Sequence, residues 1–268
     1  MADRSEIYTH GHADSVLRSH RWRTVDNSAA YVRAHLVPGA SVLDVGCGPG
    51  TITADIARLV APGRVVGIDP SADVIDAARE AVAAAGLEVE VAVGDVYGLH
   101  HPDGAFDVVH AHQVLQHLAD PVAALREMRR VCRPGGIVAA RDSIYRSFAW
   151  YPRPPALDRW LAVYCAVAEA NGGQPDAGSQ LRRWALDAGF AAVESSASAW
   201  CYSTDDERRW WGELWAERVR STALGTRAIE LGLVTSDELD TLAQGWEQWE
   251  VAEDGWFAVL HGEILATA

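Results

Sequence analysis

Between Val42 and Thr51 the chain reads Val-Leu-Asp-Val-Gly-Cys-Gly-Pro-Gly-Thr, and no other stretch limits its possible folds so strongly. An apolar run ends on an acidic residue and passes straight into glycines at 46, 48 and 50, followed by the apolar-patterned segment from Ile52 to Val60. In physical terms this is a buried strand, a tight turn and the start of a helix. Glycine lets such a turn take positive φ and lets a ligand approach where a Cβ would collide. The turn then presents backbone N–H groups and a positive helix end above the strand.

Dinucleotide-binding turns have the spacing G-x-G-x-x-G. Here the spacing is G-x-G-x-G, and Asp44 stands two residues before Gly46. The arrangement resembles motif I of class I S-adenosylmethionine-dependent methyltransferases. In that family the acidic position, here Asp44, engages the ammonium of the methionine moiety, and the glycines make room for the cofactor beside Gly46, Cys47 and Gly48.

Further segments agree with the resemblance. Arg64 to Asp69 reads as a second buried strand ending in a carboxylate, about 20 residues on, where a ribose diol binds in related folds. Val89 to Val96 reads as a third strand. The family's adenine contacts fall on its end: Asp95 accepts from the amino group, with Gly94 and Val96 beside it. Phe106 to Gln113 resembles motif IV, and Arg133-Pro134-Gly135-Gly136 resembles the family's R/K-P-G-G turn before strand five. Taken singly, Asp44, Asp69 and Asp95 could each be a helix cap or a turn former. At the carboxyl ends of successive strands they mark the edge where open α/β sheets bind ligands. The resemblance also implies cofactor contacts at Pro70, His112, Gln113 and Arg23. Cys47 reads as a small residue tolerated in the turn, not a nucleophile.

The basic residues are all arginine, since the chain contains no lysine, and this excludes Schiff-base and pyridoxal chemistry. The formal net charge of −14 argues against a nucleic-acid acceptor, because phosphate binding needs a basic surface. The cysteines lack C-x-x-C spacing, so neither a metal site nor a disulfide framework is expected, and a reducing cytoplasm is the natural compartment. No run of apolar residues is long enough for a membrane span, and the first residues carry no signal-peptide core.

The alternation of strands and helices predicts an α/β chain with a doubly wound, mostly parallel sheet; the resemblance implies a Rossmann-like, seven-stranded sheet with its last strand antiparallel, here with a helical cap added. One domain over 1–268 is divided into a polar, aromatic N-terminal helical lid (1–36), a core (37–143, 179–203 and 256–268) and helical cap insertions (144–178 and 204–255). Ser71 and Asp120-Pro121 are expected to start helices, and Thr235 with Glu238 forms a capping-box pair. Of the 11 tryptophans only Trp22 precedes Trp150. Most are expected to pack the cap, with a direct substrate role for a minority, foremost Trp150 and Trp184.

The resemblance implies methyl transfer to a small-molecule acceptor, and the pattern is most similar to UbiE/Coq5-like enzymes. A biosynthetic or natural-product acceptor suits the expanded aromatic cap. In-line transfer needs an oriented acceptor and, for some acceptors, a base. His117, in the stretch His112-Gln113-Val114-Leu115-Gln116-His117, is the leading base because imidazole titrates near neutrality; alternatively it caps a turn or bounds the cofactor pocket. His20 and Tyr145 are the other candidates. Two rival readings stay open: a protein of this fold that binds the cofactor without transferring methyl, as a cyclase or regulatory binder, and, with less support, an NAD-dependent dehydrogenase.

Overall fold

The computed structural model describes residues 19–268. The part of the expected polar, aromatic lid before Ser19, with Tyr8, His10 and His12, lies outside the described residues. After a helical end at 19–21 come a short helix, α1 (Val25–Ser28), and a 3-10 turn (Ala30–His35). Thr24 and Asn27 cap α1 reciprocally. Val25, Ala29 and Val32 are buried against the first sheet strand and the helix that follows it, so this part of the N-terminal segment is built into the core.

The core then alternates strand and helix: β1 (Val42–Val45), α2 (Thr51–Val60), β2 (Val65–Asp69), α3 (Ala72–Ala84), β3 (Glu90–Val93), β4 (Phe106–His112), α4 (Pro121–Val131) and β5 (Cys132–Ser143). Every residue of β1 is buried, as a strand covered on both faces requires. The expected caps are present: the Ser71 side chain accepts from Val74 N and the Asp120 side chain from Ala123 N. After Ser143 come β6 (Ala149–Tyr151), α5 (Pro155–Ala170), α6 (Ala177–Asp187), β7 (Ala192–Tyr202), α7 (Asp205–Ser221), α8 (Ala223–Glu230), α9 (Ser236–Glu250) and β8 (Trp256–Thr267).

The sheet runs β3-β2-β1-β4-β5-β8, with β7 on the far edge of β8. Pairings from β3 to β5 are parallel, and β8 is antiparallel to β5 and β7. The mostly parallel sheet with an antiparallel last strand is therefore present, with one short strand beyond the expected seven. That strand, β6, comes from the 144–178 stretch expected as a helical cap insertion, and it pairs Ala149–Tyr151 with Trp256–Ala258 on the side of β8 that β5 has left free. The third strand is shorter than the expected span from Val89 to Val96, so Gly94, Asp95 and Val96 follow it as a turn. The Arg-Pro-Gly-Gly turn sits at a break in register, where Phe106 faces Cys132 and Val108 already faces Ile137.

A second apolar cluster lies where α5, α7 and α9 pack on β7 and β8. Its centre is aromatic: Trp160 meets Trp215 and Trp246 edge-on at 4.5 and 4.8 Å. Most tryptophans thus pack the cap, as expected. Trp150 and Trp184 do not approach a ligand cavity; Trp150 stacks flat on Phe257 at 5.6 Å, and Trp184 is buried with Leu181 and Ala185 in the main core. The Thr235 side chain caps α9 by accepting from Glu238 N, while the Glu238 carboxylate turns to Arg159 Nε at 2.8 Å. The reciprocal box forms instead at Thr204 and Glu207, at the start of α7.

Candidate active site

The turn after β1 is shaped by its glycines for different reasons. Gly46, at φ 68°, is packed from behind: a Cβ there would fall 2.4 Å from Val114 Cγ2. Gly48, at φ 54°, has only His20 Nδ1, among the described residues, within 4 Å of where its Cβ would be. Gly48 is therefore the position where a ligand can come close to the backbone. Two aspartates brace the loop. Asp44, 2% exposed, accepts from Thr53 Oγ1 at 2.6 Å and faces His110 Nδ1 at 2.8 Å. Asp69, at the end of β2, accepts from Gly48 N at 3.2 Å and Ser71 N at 3.0 Å.

Above these groups lies a cavity of about 480 Å³, within the range of about 300–1,000 Å³ typical of small-ligand sites. Its walls include Asp44, Gly46, Cys47, Gly48, Asp69 and Pro70 on one side and His112, Gln113 and His117 in the middle, with Arg23, His20 and Tyr145 also facing it. Twelve of the fifteen sequence candidates therefore line one space. Gly94, Asp95 and Val96 do not line it. They follow β3 beside Asp69, with Gly94 N donating to Asp69 O; the exposed Asp95 carboxylate accepts from Tyr97 N, and Val96 is buried in the core.

At the centre Gln113 is the one residue other than glycine with positive φ among the described residues, at 55°. Its side chain joins three elements: Oε1 accepts from Arg23 Nη2 at 2.7 Å, and Nε2 lies 2.9 Å from both Ser143 Oγ and His261 Nε2. Behind it His261 contacts Arg141, and Arg141 contacts Glu263. This network holds Arg23 over the cavity. His112 is 5% exposed and neither ring nitrogen has a partner among the described residues.

The expected titration of His117 near neutrality does not hold. Burial, aided by the Arg23 guanidinium, pushes its pKa down to about 3, and Nε2 sits 3.1 Å from Gln116 Nε2. His117 is therefore neutral across the physiological range. Cys47 is buried and its thiol is pushed well up by burial and by Asp44, which fits a turn residue and not a nucleophile. Tyr145 is fixed by stacking on Tyr164 at 4.0 Å.

These shifts set a pH dependence of stability. Burial, then Arg23 and Arg141, depresses His112, and burial with the same arginines depresses His261. Below pH ~6.5 the unfolded chain protonates these side chains and the folded one does not, so stability falls with acid at ~1.4 kcal/mol per pH unit for each buried histidine. Asp142 acts in the opposite sense: burial raises it to about 8, so the folded carboxyl keeps a proton that the unfolded one has already lost. Glu250, raised to about 7 by burial and by Glu213 and Glu247, acts likewise below pH 7. The melting temperature is expected to peak below about pH 6.5 and to fall between pH 7 and 8. Melting curves of Asp142→Asn test this; an undiminished fall over that last unit would remove Asp142 as its cause.

Several lining residues were not anticipated. Trp200 and Tyr202 alternate on β7, and Trp211, Trp215 and Arg218 recur at i, i+4 and i+7 on α7; all five face the cavity. The spacing that put Trp211 and Trp215 on one helix face extends to Arg218, but spacing alone does not say whether a face meets core or ligand.

The site fits S-adenosylmethionine. An open glycine, a carboxylate at the end of β2 and buried, unpartnered nitrogens on His112 face one cavity above the carboxyl edge of a parallel sheet. A methyltransferase domain model matches residues 43–140. An uncharacterized methyltransferase of Schizosaccharomyces pombe is 34% identical over 96% of this chain and 95% of its own length. A probable methyltransferase, LtbC, of Aspergillus luteorubrus is 32% identical over 97% and 96%. The YcgJ protein of Bacillus subtilis, 18% identical, shares the fold with a TM-score of 0.58 over 89% of this chain and 96% of that one. None of the described helices is long and apolar enough to cross a membrane. With the glycine turn, the strand-end carboxylates and the sheet order, these relationships place the chain among the class I S-adenosylmethionine-dependent methyltransferases.

Proposed function

We propose that this enzyme methylates a small-molecule acceptor of biosynthetic or natural-product type, in the neighbourhood of the UbiE/Coq5-like enzymes and in the cytoplasm. The observation that carries the reading is that the glycine turn and the tryptophan wall of α7 enclose one space of about 480 Å³. A cavity of that size suits a cofactor and a small acceptor; the chain's net charge of −14 disfavours a nucleic acid.

S-adenosylmethionine, when bound, supplies a methyl group on a sulfonium that leaves as a neutral thioether. Asp69 would hold the ribose hydroxyls, and Asp44 and the Gly46–Gly48 turn the methionine end, with Arg23, Gln113 and His112 beside it. Pro70 would serve the adenine end, while Gly94, Asp95 and Val96, outside the cavity, would act only through the turn that supports Asp69. The aromatic wall, with Tyr145 and His20, orients the acceptor and excludes water, the contribution that positioning makes to an in-line displacement. We assign His117 the role of a neutral hydrogen-bonding group. Taking a proton from a phenol of pKa about 10 with a base near 3 would cost roughly 9–10 kcal/mol. His117 therefore does not serve as the base for such an acceptor.

The N-terminal segment and the inserted helices are proposed to form one lid. Trp22 packs against Trp210 of α7 at 5.6 Å and Arg218 Nη2 of α7 donates to Ser19 Oγ at 2.6 Å, so the two excursions touch. Incubation with labelled S-adenosylmethionine and an acceptor library, read by mass spectrometry, tests the reading. A methylated product is expected, with His117→Gln retaining turnover within about tenfold; loss of a true general base costs about 10²–10⁴-fold. Cofactor bound but never consumed would instead favour a binder or cyclase.

A further inference from the structure

Gln113 and His261 stand in a row between two arginines. Arg23 Nη2 lies 2.7 Å from Gln113 Oε1, Gln113 Nε2 lies 2.9 Å from His261 Nε2, and His261 Nδ1 lies 3.1 Å from Arg141 Nη2. These contacts are not all hydrogen bonds at the same time, because both ends of the row donate. A guanidinium has no acceptor, while an amide and a neutral imidazole that accept on one side donate on the other. In a first arrangement Gln113 Oε1 accepts from Arg23 and its amide nitrogen donates to His261 Nε2. The ring proton then sits on Nδ1, against the second arginine. In the other arrangement Nδ1 accepts from Arg141, the proton sits on Nε2, and Gln113 turns its oxygen to the ring and its amide nitrogen to Arg23.

The ring has no way around this conflict. His261 is fully buried and Trp200 meets it edge-on at 4.4 Å, so the imidazole is not free to turn. It does not take a second proton either, because burial, then Arg141 and Arg23, hold its pKa well below the usual imidazole range. Arg141 is short of acceptors: it is buried, Nε is shared between Ser198 and Glu263, and Nη1 has no partner among the described residues. The neighbours tolerate both arrangements. Ser143 Oγ, 2.9 Å from Gln113 Nε2, can accept or donate. The Val259 carbonyl also hydrogen-bonds the ring and gives its proton an acceptor when Gln113 does not.

Resting on the methyltransferase reading, we propose that His261 is a positioning residue: the nitrogen that carries its proton decides whether Gln113 turns its oxygen to Arg23, and so whether residues 19–24 are tied down over the cofactor cavity. With the proton on Nδ1, Arg23 is bonded to Gln113 and its segment is fastened to the carboxyl end of β4. With the proton on Nε2, Arg141 is satisfied and that fastening is lost. Gln113 is built as the pivot. Its φ of 55° is one that a residue other than glycine keeps only where its surroundings impose it, and its backbone N–H is held by Arg141 O at 2.7 Å. The main chain is thereby fixed, and the amide plane is the part left to turn. Cofactor bound beneath the segment favours the tied arrangement, since a ligand draws the equilibrium toward the state that it contacts better.

The test uses the full chain with isotope-labelled histidine. Ring-nitrogen NMR shifts tell the two tautomers apart, and His261→Gln identifies the signal. With S-adenosylhomocysteine bound, the His261 proton is expected on Nδ1 in most molecules. Arg23→Met removes one of the competing donors and should move the proton to Nε2, although Gln113 stands between them. Gln113→Glu, whose carboxylate accepts at both ends, should also move it to Nε2 but keep Arg23 bonded. Tryptic cleavage after Arg21 should accordingly be about tenfold faster in Arg23→Met, as loss of a hydrogen bond to a charged group allows, and little changed in Gln113→Glu. A ring proton already on Nε2 in the loaded wild type would overturn the inference, even if no variant folds. So would a folded Arg23→Met whose proton stays on Nδ1, the result expected if His261 only packs against Trp200. Failure of S-adenosylhomocysteine to bind the wild type would instead bring down the methyltransferase reading, and the ligand-free comparison of wild type with Arg23→Met would still decide the tautomer.

Discussion

Replacing Gly262 by alanine is expected to cost more than about 3 kcal/mol of stability, a loss reached only by mutations with a specific steric or electrostatic cause. Gly262 sits mid-strand in β8, paired with Asp142 on one side and Ala197 on the other. The first turn of α6 crosses directly above it. A Cβ on Gly262 would fall 2.0 Å from Gly178 O and 2.5 Å from Gly178 C. The obstruction is reciprocal, since a Cβ on Gly178 would lie 2.3 Å from Asp142 O and 2.6 Å from Gly262 N. All these atoms are backbone, so no rotamer change gives relief, and α6 must move away from the sheet. That movement reaches the site, because the segment before α6 bonds to it: Gln174 N donates to Gln116 O at 2.7 Å and Tyr145 N to Pro175 O at 3.1 Å. Thermal unfolding of Gly262→Ala should show a fall of roughly 6–12 °C or more. A variant melting within a degree or two of the wild type would mean that the two backbones can part freely.

Asp69→Ala should weaken binding of S-adenosylmethionine by roughly 5- to 150-fold, the effect of about 1–3 kcal/mol for a lost buried polar partner. The carboxylate does more than wait for a ribose: it takes N–H bonds from Gly48 and Ser71 and so ties the glycine turn to the start of α3. Asp69→Asn separates the contributions, because its amide oxygen can still accept one of those bonds while the negative charge is gone. Calorimetry should place Asn between wild type and Ala. Unchanged affinity in both variants would show that Asp69 serves only the turn.

The core was legible in the sequence because local chemistry determines it. The Asp44-to-Gly50 turn, Asp69 at a strand end and the Ser71 and Asp120 caps each follow from backbone conformation or periodicity within a few residues, while the antiparallel last strand was implied by the family resemblance. The same rules brought Asp44, Gly48, Asp69, His112, Gln113 and His117 to one sheet edge, since parallel strands end together. What lay beyond reach was whatever depends on contacts distant in the chain. Which tryptophans pack and which face the cavity is decided by where α7 lands on β7 and β8: Trp150 and Trp184 turned inward, while Trp200 and Trp211 did not. His117 has an ordinary imidazole in the sequence, and its protonation is set by burial and by Arg23, more than ninety positions away. Gly262 reads as an unremarkable strand residue until α6 is seen crossing it. The sequence by itself determined the sheet, the turn and the cofactor edge; only the tertiary structure decided the acceptor side, because its shape and charge come from packing one helix against strands joined to it through space.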